Sequence, residues 1–272
     1  MNLTGVHVPL ITPFDAAGEV AADALERLAH DVLDDGATGL VALGTTAEAS
    51  ALTDREKARV VEIASRVSRA RRTPLIVGGG VAGGDAALVL VPPFTRPGEA
   101  GAVAYLRARA AASPIPVVVY HVPQRTGQDL SVDALLAIAA IPNVVGMKYA
   151  KPAVDADTVA FLSAAPADFA VLAGDDGTLS PLLALGAPGA VLASAHISTA
   201  AFVDLVTAWG SGDLPTARKL GADLARLSAA LFAEPNPTVI KAVLHAEGRI
   251  PTPAVRLPLL AARPESVAAA LR

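Results

Sequence analysis

The sequence predicts a (β/α)₈ barrel followed by a helical extension. Short apolar runs alternate with Ala-rich stretches of helical periodicity along most of the chain, which is typical of repeated βα units. Eight such runs occur, a number that favours a closed barrel over a doubly wound sheet. Hydrophobic residues make up 53% of the chain and charged residues 18%, which suits parallel strands that are buried on both faces. We expect the barrel to occupy residues 1–197 and the helical extension, packed on it, residues 198–272.

The eight candidate strands are short runs rich in Val, Ile, Leu and Ala. In chain order they are Val6–Ile11, Gly39–Leu43, Leu75–Gly78, Ala87–Val91, Val117–Tyr120, Val144–Lys148, Ala170–Ala173 and Ala190–Ala193.

Helical stretches separate most of these strands, and several begin with a capping residue. Thr53 precedes one helix and Ser131 another, each with a carboxylate nearby. The stretches between strands are Asp23–Asp35, Asp54–Ala70, Ala100–Ala112, Val132–Ala140, Asp157–Ala165 and Thr178–Leu185. After the last strand come Thr199–Trp209, Leu214–Phe232 and Thr238–Glu247, which form the predicted extension.

One connection departs from the alternation of strands and helices, because only a Gly-rich stretch lies between Gly78 and Ala87. A parallel crossover usually needs a dozen or more residues, so the helix between the third and fourth strands is predicted to be absent. Either the protein lacks this helix, or the sequence omits a stretch of chain. The same stretch reads Gly78-x-Gly80-x-x-Gly83, which matches a dinucleotide fingerprint, but no helix follows to receive a pyrophosphate.

Composition excludes several classes of function. The net charge is −4 without a long run of either sign, so nucleic acid and anionic membranes are poor partners. The absence of cysteine excludes disulfides, thiolate metal sites and cysteine nucleophiles. No apolar stretch has the length of a membrane span and no signal-peptide pattern is present, so we expect a soluble cytoplasmic protein. We expect no metal site, because the five histidines lack metal-ligand spacing: His7, His30, His121, His196 and His245.

The most informative residue is Lys148, a lone cation at the end of the apolar run 143–147. Lysines at such positions usually extend their ammonium groups into water. The alternative is a desolvated amine that attacks a carbonyl carbon and forms a Schiff base. The residues at neighbouring strand ends decide between these two interpretations, because catalytic side chains of barrels lie at the carboxyl ends of the strands.

Those neighbouring strand ends carry further polar groups. Thr45 and Thr46 follow the second strand and could hold a small carboxylate, Tyr120 ends the fifth and could exchange protons with an amine, and Arg125 could bind a second carboxylate. Each residue also has a purely structural interpretation: Thr45 and Thr46 as part of a turn, Tyr120 as a packed core residue and Arg125 as a solvated loop cation. Their occurrence together favours a site. Asp175 and Asp176 are predicted to cap the following helix, because the spaced carboxylates of a calcium loop are missing.

The motifs at these positions resemble the dihydrodipicolinate synthase/N-acetylneuraminate lyase family of Schiff-base-forming pyruvate aldolases. The resemblance runs from Gly5 to about Leu260. Its motifs are Gly44-Thr45-Thr46-x-Glu48, Tyr120-x-Val122-Pro123-x-Arg125-Thr126-Gly127, Gly146-Met147-Lys148, Gly174-Asp175-Asp176, Glu234-Pro235-Asn236-Pro237 with Lys241, and Arg256-Leu257-Pro258. The resemblance implies a (β/α)₈ barrel with a C-terminal helical extension, assembled as a homotetramer or homodimer.

The resemblance also implies a role for each site residue. Lys148 would form the Schiff base, Tyr120 would shuttle protons and Thr45 would relay them. The substrate-binding residues would be Thr46 for the pyruvate carboxylate, Arg125 for the carboxylate of an aldehyde, and Gly174 and Val191 as pocket walls. The substrates would be pyruvate and an aldehyde. No metal or organic cofactor is expected, because the lysine itself supplies the electron sink.

Arg125-Thr126-Gly127 favours the branch of the family that condenses pyruvate with aspartate semialdehyde. Two alternatives stay open: a lyase or aldolase for a sugar-derived or other 2-oxo acid, and a catalytically impaired barrel that binds a 2-oxo acid. Three departures from the synthase pattern bear on this choice. The segment 93–97 lacks the usual tyrosines, Tyr149 replaces an acidic residue, and the absent helix removes part of the surface at which lysine inhibits many synthases.

Overall fold

A computed structural model describes Met1 and residues 3–272, and it confirms the predicted barrel with C-terminal helices. Eight parallel strands pair in chain order, and the last strand pairs with the first. The strands are β1 Gly5–Pro9, β2 Gly39–Ala42, β3 Leu75–Val77, β4 Ala86–Leu90, β5 Val117–His121, β6 Val144–Tyr149, β7 Ala170–Ala173 and β8 Gly189–Val191.

The helices surround this barrel and extend beyond its last strand. They are α1 Ala22–Asp34, α2 Asp54–Arg71, α3 Gly98–Ala112, α4 Pro123–Thr126, α5 Val132–Ala139, α6 Ala156–Ala164, α7 Leu179–Ala184, α8 Ala195–Ser211, α9 Leu214–Leu231, α10 Thr238–Ala246 and α11 Pro264–Ala270. None of the described helices is long and apolar enough to cross a membrane.

Capping residues fix where several helices begin. Thr53 and Glu56 form a reciprocal capping box at the start of α2, which satisfies two backbone N–H groups that the helix leaves free. Ser131 accepts a hydrogen bond from the backbone of Ala134 at the start of α5, and the carboxylate of Glu99 accepts hydrogen bonds from the backbone and hydroxyl of Ser131. The caps predicted at Thr53 and Ser131 are therefore confirmed.

Alternation along the strands separates two apolar layers. One set of strand side chains packs against the surrounding helices in the large outer core. The other set fills the barrel interior, and its buried members include Val41, Ile76, Val118, Leu172 and Val191. Tyr120 is two residues after Val118, so it lies on the interior face of β5, above this apolar layer.

The β3–β4 connection contains no helix. Its eight residues, 78–85, return the chain along the barrel wall, and Asp85 closes the return by hydrogen bonding through both its backbone and its carboxylate to Leu75. The return is tight: a Cβ on Gly84 would lie 2.7 Å from Val77, and Gly83, at φ +122°, lies against Val61 of α2. Because β3 is only three residues long, a short connection can span it. The glycines that match a dinucleotide fingerprint therefore belong to a short crossover whose tight path requires glycine.

The C-terminal helices form a second apolar cluster against one end of the barrel. Ile11 and Leu28 of the barrel join Leu231, Val239 and Val243 of α9 and α10 in this cluster. The three predicted segments after β8 are confirmed as helices, although α8 begins earlier than expected and is kinked at Ser198. The sequence patterns did not indicate two short helices, α4 and α11.

Candidate active site

The site is built around Lys148 and Tyr120, which are partners in the register of β6 and β5. Both residues are 6% exposed, so the lysine is not a solvated rim residue. The ammonium nitrogen of Lys148 lies 4.6 Å from the centre of the Tyr120 ring. An amine beside a phenol inside a barrel can exchange protons with it while the amine reacts with a carbonyl carbon.

Gly174, just after β7, gives Lys148 the room that it needs. A Cβ at position 174 would lie 2.7 Å from Cγ and 3.1 Å from Cε of Lys148, and 3.0 Å from Cβ of Ala150. Any side chain there would displace the lysine stem, since real Cβ atoms do not approach so closely. Val191 belongs to the apolar layer inside the barrel and contributes to the desolvated surroundings of the site.

The loop after β2 presents free hydrogen-bond donors. Thr45 and Thr46 open a short 3₁₀ turn, and their backbone N–H groups donate to no other group in the described part of the chain. Asn236 of the C-terminal region donates from Nδ2 to the Thr46 hydroxyl oxygen at 2.9 Å, which leaves the hydroxyl proton of Thr46 free to donate. Thr45 is half-buried, and Thr46 is buried. The loop therefore offers several donors to a small carboxylate.

A buried ion pair connects the loop after β2 to the C-terminal helices. Glu48 has a left-handed backbone conformation (φ 53°), and its Oε1 is 2.8 Å from the ammonium nitrogen of Lys241 on α10. Burial lowers the pKa of Lys241 to about 8, while the Glu48 carboxylate opposes this shift. The backbone N–H of Arg256 donates to Glu48 Oε2 at 2.7 Å, and Lys241 lies 4.1 Å above the ring centre of Phe14. The C-terminal helices thus fix the loop through contacts that span about two hundred residues of sequence.

Arg125 lies on α4, the short helix that follows β5, and its side chain is exposed. Within the described residues no carboxylate forms an ion pair with its guanidinium. The Thr126 hydroxyl donates to the carbonyl oxygens of Val122 and Gln128, which stabilises the turn. Arg125 is therefore available to an anion that enters at this end of the barrel.

The two adjacent aspartates after β7 have different partners. Asp175 caps the 3₁₀ turn that leads into α7 by accepting from the backbone of Gly177, as predicted. Asp176 instead accepts from the backbone of Ser194 at 2.6 Å, and its burial raises the pKa of its carboxyl group to about 6. No group of three or more metal-ligating side chains occurs among the described residues.

A cavity of about 700 Å³ borders the site on the β3–β4 side. Thr45 and Tyr120 line it together with Leu88 and Leu90 of β4. The cavity continues to Tyr105 on the outside of the barrel, because no helix covers the Gly-rich connection.

The profile of the Dihydrodipicolinate synthetase family matches residues 2–270. The chain belongs to this family. It is 35% identical over 283 residues to the 4-hydroxy-tetrahydrodipicolinate synthase of Moorella thermoacetica, with 97% of this chain and 95% of that protein covered. The synthase of Methanothrix thermoacetophila is 36% identical, with 94% and 90% of the two chains covered.

Solved structures of the family have the same fold. The dihydrodipicolinate synthase of Bacillus anthracis superposes with a TM-score of 0.93 at 30% identity, covering 100% of this chain and 97% of that chain. The chloride-inhibited synthase of Acinetobacter baumannii, solved with pyruvate, gives a TM-score of 0.91 at 34% identity, covering 97% and 95%.

The structure brings together four of the sequence-predicted residues of this family. Thr45 and Tyr120 line the same cavity, and Lys148 contacts Tyr120 and lies against Gly174. Thr46, in the same loop as Thr45, is hydrogen-bonded to Asn236. Within the described part of the chain, neither Arg125 nor Val191 forms a hydrogen bond or an ion pair with Lys148. Local sequence patterns indicated no role for Glu48, Asn236 or Lys241, although all three lie within the family motifs. Their positions in those motifs were the signal that could have identified them.

Proposed function

We propose that this protein condenses pyruvate with aspartate semialdehyde, the reaction of 4-hydroxy-tetrahydrodipicolinate synthase. It is an enzyme that forms an imine between a lysine and pyruvate. The observation that carries the proposal is the buried Lys148 amine beside Tyr120, with Gly174 keeping the space around the amine open.

In the first step, the neutral amine of Lys148 attacks C2 of pyruvate and gives a carbinolamine. Tyr120 protonates the departing hydroxyl, so water leaves and an imine forms. The free N–H groups of Thr45 and Thr46 and the Thr46 hydroxyl bind the pyruvate carboxylate. Val191 and Gly174 form the walls of the pyruvate pocket. No cofactor is needed, since the imine nitrogen withdraws electrons from the methyl group.

In the second step, the imine loses a methyl proton and becomes an enamine, whose carbon attacks the aldehyde carbonyl. One carbon–carbon bond forms, and the aldehyde oxygen takes up a proton that Thr45 and Tyr120 relay. The amino group of the acceptor then attacks the imine carbon and displaces Lys148. The product is therefore cyclic, and the lysine returns to its free state.

The choice of acceptor rests on Arg125. Its guanidinium is exposed and unpaired within the described residues, and it follows the strand that carries Tyr120. A guanidinium binds a carboxylate through two parallel hydrogen bonds, whereas a neutral sugar-derived aldehyde offers no such group. Aspartate semialdehyde has a carboxylate at one end and the aldehyde at the other.

Arg125→Ala tests this assignment. We expect kcat/KM for aspartate semialdehyde to fall by about 2 to 4 kcal/mol of transition-state stabilisation, with a raised KM for that aldehyde. Borohydride trapping of pyruvate should stay near wild type, because Lys148, Thr45 and Thr46 are untouched. Arg218→Ala on the exposed face of α9 is the matched control. Unchanged kcat/KM for aspartate semialdehyde in Arg125→Ala would favour the sugar-acid aldolase. Imine formation without turnover of any aldehyde would favour the impaired 2-oxo-acid-binding barrel.

We further propose that the protein acts in the cytoplasm as a homotetramer or homodimer. The most exposed of the large apolar side chains in the described part of the chain support self-association: Phe94 (92%), Leu257 (77%) and Leu260 (72%). Sedimentation equilibrium tests the assembly, and a monomer at micromolar concentration would contradict it.

A further inference from the structure

A chain of polar contacts lies outside the barrel wall, directly behind the two residues that carry the chemistry. Tyr120 and Lys148 face the interior, so the next residues, His121 and Tyr149, face outward. These two are also partners in the strand register, both are buried, and their ring centres are 5.7 Å apart.

Lys151 closes this network by bridging two carboxylates. Its ammonium nitrogen is 2.9 Å from Asp129 Oδ2 and 2.9 Å from Asp155 Oδ2. The other oxygen of Asp129 is 3.1 Å from Nε2 of His121, and the other oxygen of Asp155 accepts hydrogen bonds from both the backbone and the hydroxyl of Thr158. The network thus connects the end of β5 with the start of α6.

The segment held by this network is the one that carries Arg125. His121 and Asp129 bracket residues 122–128, so their contact fixes both ends of the loop that contains α4. Lys151 then joins Asp129 to the loop that follows Lys148 on β6. The position of the exposed guanidinium relative to the reacting lysine therefore depends on the ammonium group of Lys151.

Charge and exposure indicate what the bridge does. Burial alone would lower the pKa of Lys151, but its hydrogen bonds with Asp155 and Asp129 outweigh burial and raise the pKa above its ordinary value. The Lys151 side chain is 13% exposed, whereas those of Asp129 and Asp155 are 47% and 46% exposed. Ion pairs with partners this exposed add little to folding stability. Without the ammonium, however, the two carboxylates would repel each other and the Asp129 end of the loop would move.

We infer that Lys151 is a positioning residue for the acceptor aldehyde: its bridge between Asp129 and Asp155 places Arg125 to receive the acceptor's carboxylate. This inference rests on the proposed function, since it assumes that Arg125 binds that carboxylate. It deepens the proposal by assigning selectivity for carboxylate-bearing aldehydes to a residue that does not contact substrate.

Lys151→Met tests the inference, because methionine keeps an unbranched apolar stem and removes the charge. With aspartate semialdehyde and saturating pyruvate, we expect the KM for the aldehyde to rise by about tenfold, as when a charge-assisted hydrogen bond is weakened. Borohydride trapping of pyruvate and the melting temperature should stay near wild type. Lys151→Arg should restore most of the affinity, since a guanidinium can also bridge two carboxylates. Lys219→Met, which breaks an exposed lysine–aspartate pair on α9, is the matched control and should match wild type.

A second acceptor separates positioning from general damage. Propanal has no carboxylate, so any turnover with propanal should be equal in wild type and Lys151→Met. The double variant Arg125→Ala/Lys151→Met should be no worse with aspartate semialdehyde than Arg125→Ala alone. An unchanged KM for aspartate semialdehyde in Lys151→Met, or an equal loss with both aldehydes, overturns the inference. A wild-type protein that does not turn over aspartate semialdehyde overturns the proposed function itself.

Discussion

The two sides of this barrel differ in how well they are covered. β5 is buried along its whole length, and it and β6 carry the residues of the proposed chemistry. Four of the five residues of β4 are only half-buried, because no helix covers the β3–β4 connection. The short β3–β4 connection therefore leaves the wall beside the cavity open, whereas the strands of Lys148 and Tyr120 are enclosed.

This difference separates the requirements of the fold from those of the reaction. On the β3–β4 side, glycine is needed so that the chain can return close to the wall, as Gly83 and Gly84 do. Beside β6, glycine is needed so that the Lys148 side chain has room, which Gly174 just after β7 provides. The same residue type thus serves closure of the barrel in one region and, in the proposed mechanism, the reaction in the other.

The largest expected effect lies on the enclosed side. Tyr120→Phe should slow turnover by about 10² to 10⁴-fold, because proton transfer by a positioned side chain contributes that much. The loss should be similar for every acceptor aldehyde, since imine formation precedes the choice of acceptor. Single-turnover kinetics with pyruvate measures it. A loss confined to aspartate semialdehyde would mean that Tyr120 acts on the acceptor and not on the imine.

The next prediction tests whether the conformation of the loop after β2 depends on its contacts with the C-terminal helices or on the open β3–β4 wall. Lys241→Met leaves the Glu48 carboxylate buried without its partner, so we expect the free energy of unfolding in urea to fall by about 3 to 5 kcal/mol. The KM for pyruvate should rise, because Thr46 belongs to the same loop.

The double variant Glu48→Gln/Lys241→Met is the control, since it removes both charges and should be more stable than Lys241→Met alone. If Lys241→Met is as stable as wild type, the ion pair does not support this loop.

The smallest effect compares two glycines directly. Gly83→Ala should lower the free energy of unfolding by about 1 to 3 kcal/mol through backbone strain and contact with Val61, without changing the trapping of pyruvate per folded molecule. Gly174→Ala should reduce trapping, because the added methyl group displaces Lys148, while costing about 1 to 3 kcal/mol from crowding. Equal trapping of pyruvate in the two variants would contradict the claim that Gly83 serves the fold and Gly174 serves the site.

The sequence predicted the strands, most helices and the residues at the strand ends, because alternating buried runs and helical periodicity are local properties. Residues such as Lys148 are conspicuous where a charge ends an apolar run. The short helices α4 and α11 escaped prediction, because four and seven residues are too few for a periodic pattern. Two explanations were considered for the missing helix, and one was that a stretch of chain is omitted. The barrel closes without such a stretch, because eight residues connect β3 with β4.

Local sequence patterns could not predict contacts between segments that are distant in the sequence. The ion pair between Glu48 and Lys241 and the hydrogen bond between Thr46 and Asn236 join residues 193 and 190 positions apart. Such pairs form only when the fold brings the C-terminal helices to the barrel end. The division of the chain at residues 197 and 198 and the roles given to the site residues stay predictions.

Borohydride reduction in the presence of pyruvate tests the central claim most directly, because it makes the lysine–pyruvate imine permanent. Peptide mass spectrometry then locates the adduct. The enclosed amine beside Tyr120 predicts a reduced three-carbon adduct on Lys148, and no adduct in Lys148→Ala. An adduct on Lys151 or Lys241 instead, or no adduct in the wild-type protein, would contradict the account.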